Sequence, residues 1–209
     1  MTLEQQLEQR DGIWWPASDR GCWDWMHMAK ELPQQVMRHV SQFRSVVVAG
    51  ANAGFYIDQY ASRFYSVIAI EPEPLNFLAL VRNCQQPNVI KLQAALGCDR
   101  ECVAMDVDHA GNCGGYFCQP GGLVPTLRID DLAGSVDCLH LDVEGYELKA
   151  LQGAEQTIAA HRPAIVCENI GNESRYGHSR EAVTQWLTAR GYVVAERLPH
   201  DTIFTWGAA

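Results

Sequence analysis

Positive charge is scarce in this sequence: sixteen Lys and Arg stand against twenty-five Asp and Glu, a formal net charge of -9. That balance opposes non-specific binding to nucleic acid and to anionic membranes. No apolar run approaches the ~18 residues that span a bilayer. Met1 to Arg10 is polar, with Glu4, Glu8 and Arg10 where a signal peptide would carry its apolar core, so a soluble, cytoplasmic protein is expected. No serine lies in GxSxG, and HExxH and GxxxxGK[ST] are missing, which removes the nucleophile-elbow, zinc-protease and phosphate-loop chemistries. The eight cysteines include no CxxC pair. Cys138 and Cys167 fall in apolar strands, where a reduced thiol packs as a small hydrophobe, and His109, Cys113 and Cys118 match no standard zinc spacing. A length of 209 residues suits one α/β domain with a sizeable core and leaves no room for a second catalytic domain.

What is present is organised around Ser45 to Glu71. Val46-Val47-Val48-Ala49 reads as a buried parallel strand ended by Gly50. Gly50-Ala51-Asn52-Ala53-Gly54 permits a sharp turn and a close backbone approach to a ligand. Phe55 to Phe64 is a predicted crossover helix and Tyr65 to Ile70 a second strand, completing a βαβ unit. Glu71 follows 21 positions after Gly50, where nucleotide-binding α/β folds place the acid that holds ribose hydroxyls. A nicotinamide dinucleotide needs glycine for its pyrophosphate and again for close helix packing. Asn52 and Phe55 occupy those positions, which favours a nucleoside without phosphates, S-adenosylmethionine being the common one.

Farther along, Val136 to Asp142 is predicted as a parallel strand. Its two-residue period puts His140, Asp142 and, if the strand continues, Glu144 on one face. Open α/β sheets bind ligands outside the carboxyl ends of their strands, so these residues are candidates for the chemistry, with His140 equally readable as a hydrogen-bonded interior residue. Glu168 ends the predicted strand Ala164 to Glu168, and Arg175, Tyr176 and His178 in the following loop are candidate substrate contacts. Helices are predicted over 33–43, 72–84 and 147–160, with a further helix capped by Ser179 and ending at Gly191. Residues 88–96 form one predicted strand, Glu101 to Asp131 short antiparallel pieces at a pocket rim, and Tyr192 to Arg197 with Thr202 to Trp206 a hairpin. Asp130 and Asp131 suit the positive end of a short helix there. Four of the six tryptophans lie in Ile13 to Met26. This arm either packs its indoles on the domain or folds over the cleft as a lid.

Four stretches in order resemble the motifs of FkbM-type methyltransferases: Val48 to Gly54, Glu71-Pro72-Glu73-Pro74, Thr126-Leu127 through Asp130-Asp131-Leu132, and Leu141-Asp142-Val143-Glu144-Gly145-Tyr146-Glu147. The resemblance covers about Ser45 to Trp206. It implies a class I S-adenosylmethionine-dependent methyltransferase, an α/β protein with a doubly wound, mostly parallel seven-stranded sheet and a C-terminal antiparallel hairpin. It also implies a hydroxyl oxygen of a sugar or secondary metabolite as acceptor, and backbone contacts to adenine from Ala94 and Ala95. One departure is Val48, two residues before the first glycine, where the family carries an acid that contacts the methionine end of the cofactor.

The expected organisation is an aromatic arm and helix over 1–44 and a methyltransferase domain over 45–209. Gly50, Ala51, Asn52, Gly54, Glu71, Pro72, Ala94, Ala95 and Asp142 are the expected cofactor residues. Asp142, Glu144 and His140 are the candidate bases, and Glu168, Tyr176 and His178 the substrate contacts. No metal ligand set is assigned, although Asp142 with Glu144 offers hard oxygens to a divalent ion. The partner is a small-molecule acceptor, and the oligomeric state stays open. An NAD-linked reductase and a non-catalytic nucleoside-binding module are the competing functions.

Overall fold

The computed structural model describes residues 2–132 and 134–207. The arm begins with a 3-10 turn and a hairpin of β1 (Leu7–Arg10) and β2 (Ile13–Pro16), followed by α1 (Cys22–Met28) and α2 (Leu32–Met37). Then come β3 (Ser45–Ala49), α3 (Ile57–Ala61), β4 (Ser66–Ile70), α4 (Pro74–Asn83) and β5 (Val89–Leu92). The rim pieces are β6 (Ala95–Leu96), β7 (Cys102–Val107), β8 (Tyr116–Pro120) and β9 (Val124–Leu127). The rest is β10 (Cys138–Leu141), α5 (Glu147–Gln152), α6 (Glu155–His161), β11 (Ala164–Glu168), α7 (Ala182–Thr188), β12 (Tyr192–Arg197) and β13 (Asp201–Trp206).

The main sheet has seven strands in the order β12-β13-β11-β10-β3-β4-β5, parallel except for β13, which runs antiparallel to β11 and to β12. This is the expected sheet with its terminal hairpin. Alternation along the strands splits the core into two layers. Val46, Val48, Val67, Ala69, Cys138 and Val166 pack with α2, α3, α4 and the arm. Val47, Ala49, Ile68, Ile70, Leu139 and Leu141 pack with α5, α6 and α7. Each valine, leucine or isoleucine among them, buried in full, contributes roughly 1.5 to 3 kcal/mol. Strand order reverses between β3 and β10, and at the amino end of that junction the Arg44 guanidinium holds Asp137, with Nη2 to Oδ1 at 2.6 Å. One end is therefore tied shut by an ion pair, and the cleft lies at the other.

Several predicted bounds need correction. The strand over 88–96 breaks after Leu92, and Ala95–Leu96 leaves the main sheet to pair with Thr126 and Leu127 in a four-stranded sheet with β7 and β8. The helix over 147–160 is two helices, because a Cβ at Gly153 would lie 2.0 Å from the Gly97 carbonyl oxygen and the chain must turn past that close approach. The helix of 55–64 shortens to Ile57–Ala61. Ser179 does not cap α7, whose N-cap is Glu181; its backbone carbonyl accepts from the Ala182 N–H instead. Asp130 serves α6 from a distance, accepting from the Thr157 and Gln156 N–H groups at 2.8 and 3.2 Å. Among the described residues no helix is long and apolar enough to cross a membrane.

Candidate active site

The carboxyl ends of β3, β4 and β10 open into a cavity of about 530 Å³, within the size range of small-molecule sites. Gly50 lies at its base with φ +75°. A Cβ there would fall 1.7 Å from the Asp142 carbonyl oxygen, so only glycine lets β3 and β10 end side by side. Asn52 takes φ +49°, and its N–H donates to Glu71 Oε2 at 2.8 Å while the Glu73 N–H donates to Oε1 at 2.9 Å. Each Glu71 oxygen retains acceptor capacity. Burial pushes its carboxyl up to about 8 despite those two donors and the Asn76 side chain, so the protonated form is favoured at neutral pH.

Of the expected cofactor residues, Gly50, Asn52, Glu71, Pro72, Ala94, Ala95 and Asp142 line the cavity. Ala51 and Gly54 do not. Gly54, at φ +88°, is a packing glycine, since a Cβ would meet Cys84 Sγ at 2.5 Å. Val48 is 1 % exposed in the core, so the position where an acid was expected offers nothing to a ligand.

A second group of acids closes the far end. β10 stops at Leu141, and the following turn gives Glu144 φ +55°, so the predicted continuation of the strand to Glu144 is replaced by a turn. Asp142, Glu144 and Glu168 nevertheless line one cavity and can each bring an oxygen within 4.8 Å of the others. Such hard oxygens suit either a divalent cation or a shared proton. Burial pushes Asp142 up to about 6. Burial, then the charges of Asp142 and Glu147, raises Glu144 to about 8, and its Oε2 accepts from Asn172 Nδ2 at 2.5 Å. Burial with the Asp142 charge lifts Glu168 well above the carboxylate range and Asp201 to about 7.

The structure does not bring His140 to the cavity. It is 1 % exposed, paired through Nδ1 with the Tyr60 hydroxyl at 2.8 Å, and burial draws it down to about 4, the interior reading of that residue. Tyr176 donates its hydroxyl to the Cys118 carbonyl at 2.9 Å and packs on Tyr146. Arg175 donates to the Glu144 carbonyl and lies over Phe117. His178 is half-buried beside Glu173, outside the cavity.

The other wall comes from the aromatic arm and the predicted rim, although its individual residues, Tyr56 and His200 among them, were not named from sequence. Cys22, Trp25 and Met26 of α1, the loop from His109 to Gly114, Tyr56 of the glycine turn and His200 all face the cavity. Trp25 stacks edge-on against His200 at 4.3 Å, while Trp15 is fully buried, so the arm both packs on the domain and walls the cleft. Asp19 joins these pieces. It accepts from Trp15 Nε1 at 3.0 Å, from the N–H groups of Cys22 and Trp23 at 3.2 and 2.9 Å, and from Cys113 at 3.4 Å. Burial opposes its charge, but these donors hold its carboxyl below the usual range. An aspartate three residues before a helix start was the one available sequence signal.

Residues 123–194 match the family model described as the methyltransferase FkbM domain. No curated protein matches the chain. Among solved structures, the methyltransferase FkbM from Methylobacillus flagellatus KT is 20% identical over 79% of this chain, with a TM-score of 0.54, and this chain spans 44% of its length. The precorrin-6y C5,15-methyltransferase from Geobacter metallireducens GS-15 is 14% identical, with 85% of this chain and 89% of that one covered and a TM-score of 0.54. The protein of a DhpI-SAM-HEP complex is 12% identical, with 87% and 86% covered and a TM-score of 0.50. At these identities the structures show a common fold. The resemblance read from four sequence motifs is therefore met by the family model over residues 123–194, which hold the last two of those motifs, and by a fold shared with these solved methyltransferases.

Proposed function

We propose that this protein transfers a methyl group from S-adenosylmethionine to a hydroxyl oxygen of a small acceptor, with Asp142 as the base. The observation that carries this reading is that Gly50, Glu71 and Asp142, ending three adjacent strands of one sheet, line a single cavity at its switch point. Gly50 admits the ligand to the backbone, and Glu71 has acceptor capacity for two vicinal hydroxyls. When bound, S-adenosylmethionine supplies an electrophilic sulfonium methyl.

The chain's own contribution is alignment and proton removal. Holding the acceptor oxygen in line with the methyl carbon can supply about 7 to 11 kcal/mol of the barrier. Asp142 would take the acceptor's hydroxyl proton on a side-chain oxygen as the methyl group is transferred and the thioether nucleoside leaves. Burial lifts Asp142 to about 6, near enough to neutrality for it to be both ionised and basic. Trp25, Tyr56 and His200 give the acceptor end flat walls, which suits a ring-bearing acceptor such as a sugar or phenol.

The test is thermal. S-adenosylhomocysteine at a hundredfold over its dissociation constant stabilises by about 2.7 kcal/mol. At about 2 to 4 °C per kcal/mol for a chain of this length, the melting temperature rises by roughly 5 to 11 °C. NAD leaves it unchanged. A shift with NAD and none with the homocysteine nucleoside overturns the assignment.

A further inference from the structure

Two cysteines from distant parts of the chain meet in the wall of the cleft. Cys22 is the first residue of α1 and Cys113 lies in the loop from His109 to Gly114; both are free thiols that line the cavity. One atom sets their spacing. Asp19 Oδ1 accepts from the Cys22 N–H at 3.2 Å and from the Cys113 N–H at 3.4 Å. The two backbone nitrogens therefore stand within roughly 7 Å of each other, in keeping with a disulfide, whose Cα atoms lie about 4.4 to 6.8 Å apart. The sulfurs turn towards the same place. Asn52 Nδ2 donates to Cys22 Sγ at 3.7 Å, and Cys113 Sγ lies 4.0 Å from Oδ1 of the same amide. Cys22 Sγ also stands 2.8 Å from where a Cβ on Gly114 would be, so the glycine after Cys113 leaves room for that sulfur. The hydrogen bond of its thiol to Cys22, then burial, holds Cys113 well above the ordinary thiol range, so it keeps its proton.

We propose that Cys22 and Cys113 are a redox-sensitive clasp, which a hydroperoxide closes to a disulfide joining the arm to the rim loop. In the reduced protein these segments are held by hydrogen bonds, among them the Asp19 contact with Cys113 and the Arg20 N–H on the Gly111 carbonyl at 2.8 Å. The peroxide reaches the sulfurs through the cavity that both residues line. Cys22 Sγ attacks a peroxide oxygen, the O–O bond breaks, and Cys22 becomes a sulfenic acid as the first water leaves. Cys113 Sγ then bonds to Cys22 Sγ, and its proton departs with the sulfenic hydroxyl as the second water. Two thiols are oxidised by two electrons and one peroxide is reduced to two waters. A dithiol reductant restores both thiols by exchange.

The experiment is peptide mapping of the full chain by mass spectrometry, after equimolar hydrogen peroxide and alkylation of the remaining thiols. The peptides that hold Cys22 and Cys113 should appear joined and lighter by two hydrogen atoms, and dithiothreitol should separate them. The bond closes a loop of about 90 residues, so the melting temperature of the oxidised chain should exceed that of the reduced chain by roughly 5 °C or more. Cys22→Ser and Cys113→Ser should each abolish both the link and the shift; if neither variant folds, the wild-type map and melt decide. A link from either residue to Cys98 or Cys102, oxidation of either without a link, or both left as thiols overturns the proposal. So does a linked chain that melts where the reduced one does. Fastened walls should also slow the release of S-adenosylhomocysteine by about threefold or more, a consequence that rests on the nucleoside reading of the cleft. Equal release from both forms overturns the clasp as a control on the cleft. If the chain binds no such nucleoside, that reading fails while the map and the melt still decide the clasp.

Discussion

The two ends of the cleft hold their carboxylates in opposite ways. At the end proposed to hold the nucleoside, Glu71 is bracketed by backbone N–H groups of Asn52 and Glu73, close together in sequence. At the end proposed to hold the acceptor, Asp142 just past β10, Glu144 in the following turn and Glu168 of β11 line the cavity, and the Asp142 charge raises the proton affinity of Glu144, Glu168 and Asp201. The first end is rigid and built by local chain geometry. The second is electrostatically loaded and held by few donors, as suits a place where a proton must change hands.

The largest effect that would break this contrast is on turnover. Asp142→Asn keeps shape and removes charge, so at saturating cofactor kcat should fall by about 10²-fold or more while cofactor affinity changes little. Unchanged turnover in a steady-state assay with a surrogate sugar or phenol would make alignment the whole source of rate. Glu71→Gln should do the reverse. Calorimetry above pH 8, where Glu71 is ionised, should show S-adenosylhomocysteine weakened by about 1.5 to 3 kcal/mol for a charged hydrogen bond lost, with kcat at saturation nearly intact. If Glu71→Gln binds normally, the rigid end is not the nucleoside end.

Stability should separate the two ends by pH. Burial pushes Asp142 up to about 6, Asp201 to about 7, and Glu71, Glu144 and Glu147 to about 8. A carboxyl that holds its proton more tightly when folded stabilises the fold fully below its unfolded value, about 4. That stabilisation is lost as pH rises through the folded value. The ligand-free melting temperature should therefore fall by several degrees between pH 5 and pH 8. Asp142→Asn should flatten that fall more than Glu71→Gln, because it also relieves Glu144, Glu168 and Asp201. A melting temperature that climbs with pH over this range contradicts the loaded mouth. The smallest effect belongs to His140: His140→Gln should leave kcat within about threefold, since Tyr60 rather than the cleft is its partner. A loss comparable to that of Asp142→Asn would return the imidazole to the proton path.

The same contrast explains what could be read from residues alone. Val46 to Glu71 is legible because strand, glycine turn and acid lie in one short stretch whose apolar period and Cβ-free positions have local causes. The bounds of β11 and β12 were legible for the same reason. The break between β5 and β6 was not, because Ala95 and Leu96 are turned aside by pairing with Thr126 and Leu127. Nor was the position of Tyr176, drawn to a carbonyl 58 residues away. Glu168 was placed correctly by its strand, but that it would stand with Asp142 and Glu144 depends on how a loop after β10 folds back. The wall from α1 and the loop at 109–114 depends on Asp19, whose donors are distant in sequence or are ordinary backbone groups.

Asp19 also sets an order of events. The arm is synthesised before the sheet, yet its Asp19 carboxylate is completed by the N–H of Cys113, 94 residues later, and Trp14 pairs with Asn83, 69 residues away. Loop closures this long are paid only after the intervening strands have condensed. The arm should therefore dock after the sheet has formed, and Trp15, without solvent contact in the finished protein, should be among the last side chains to gain its native environment in refolding followed by tryptophan fluorescence.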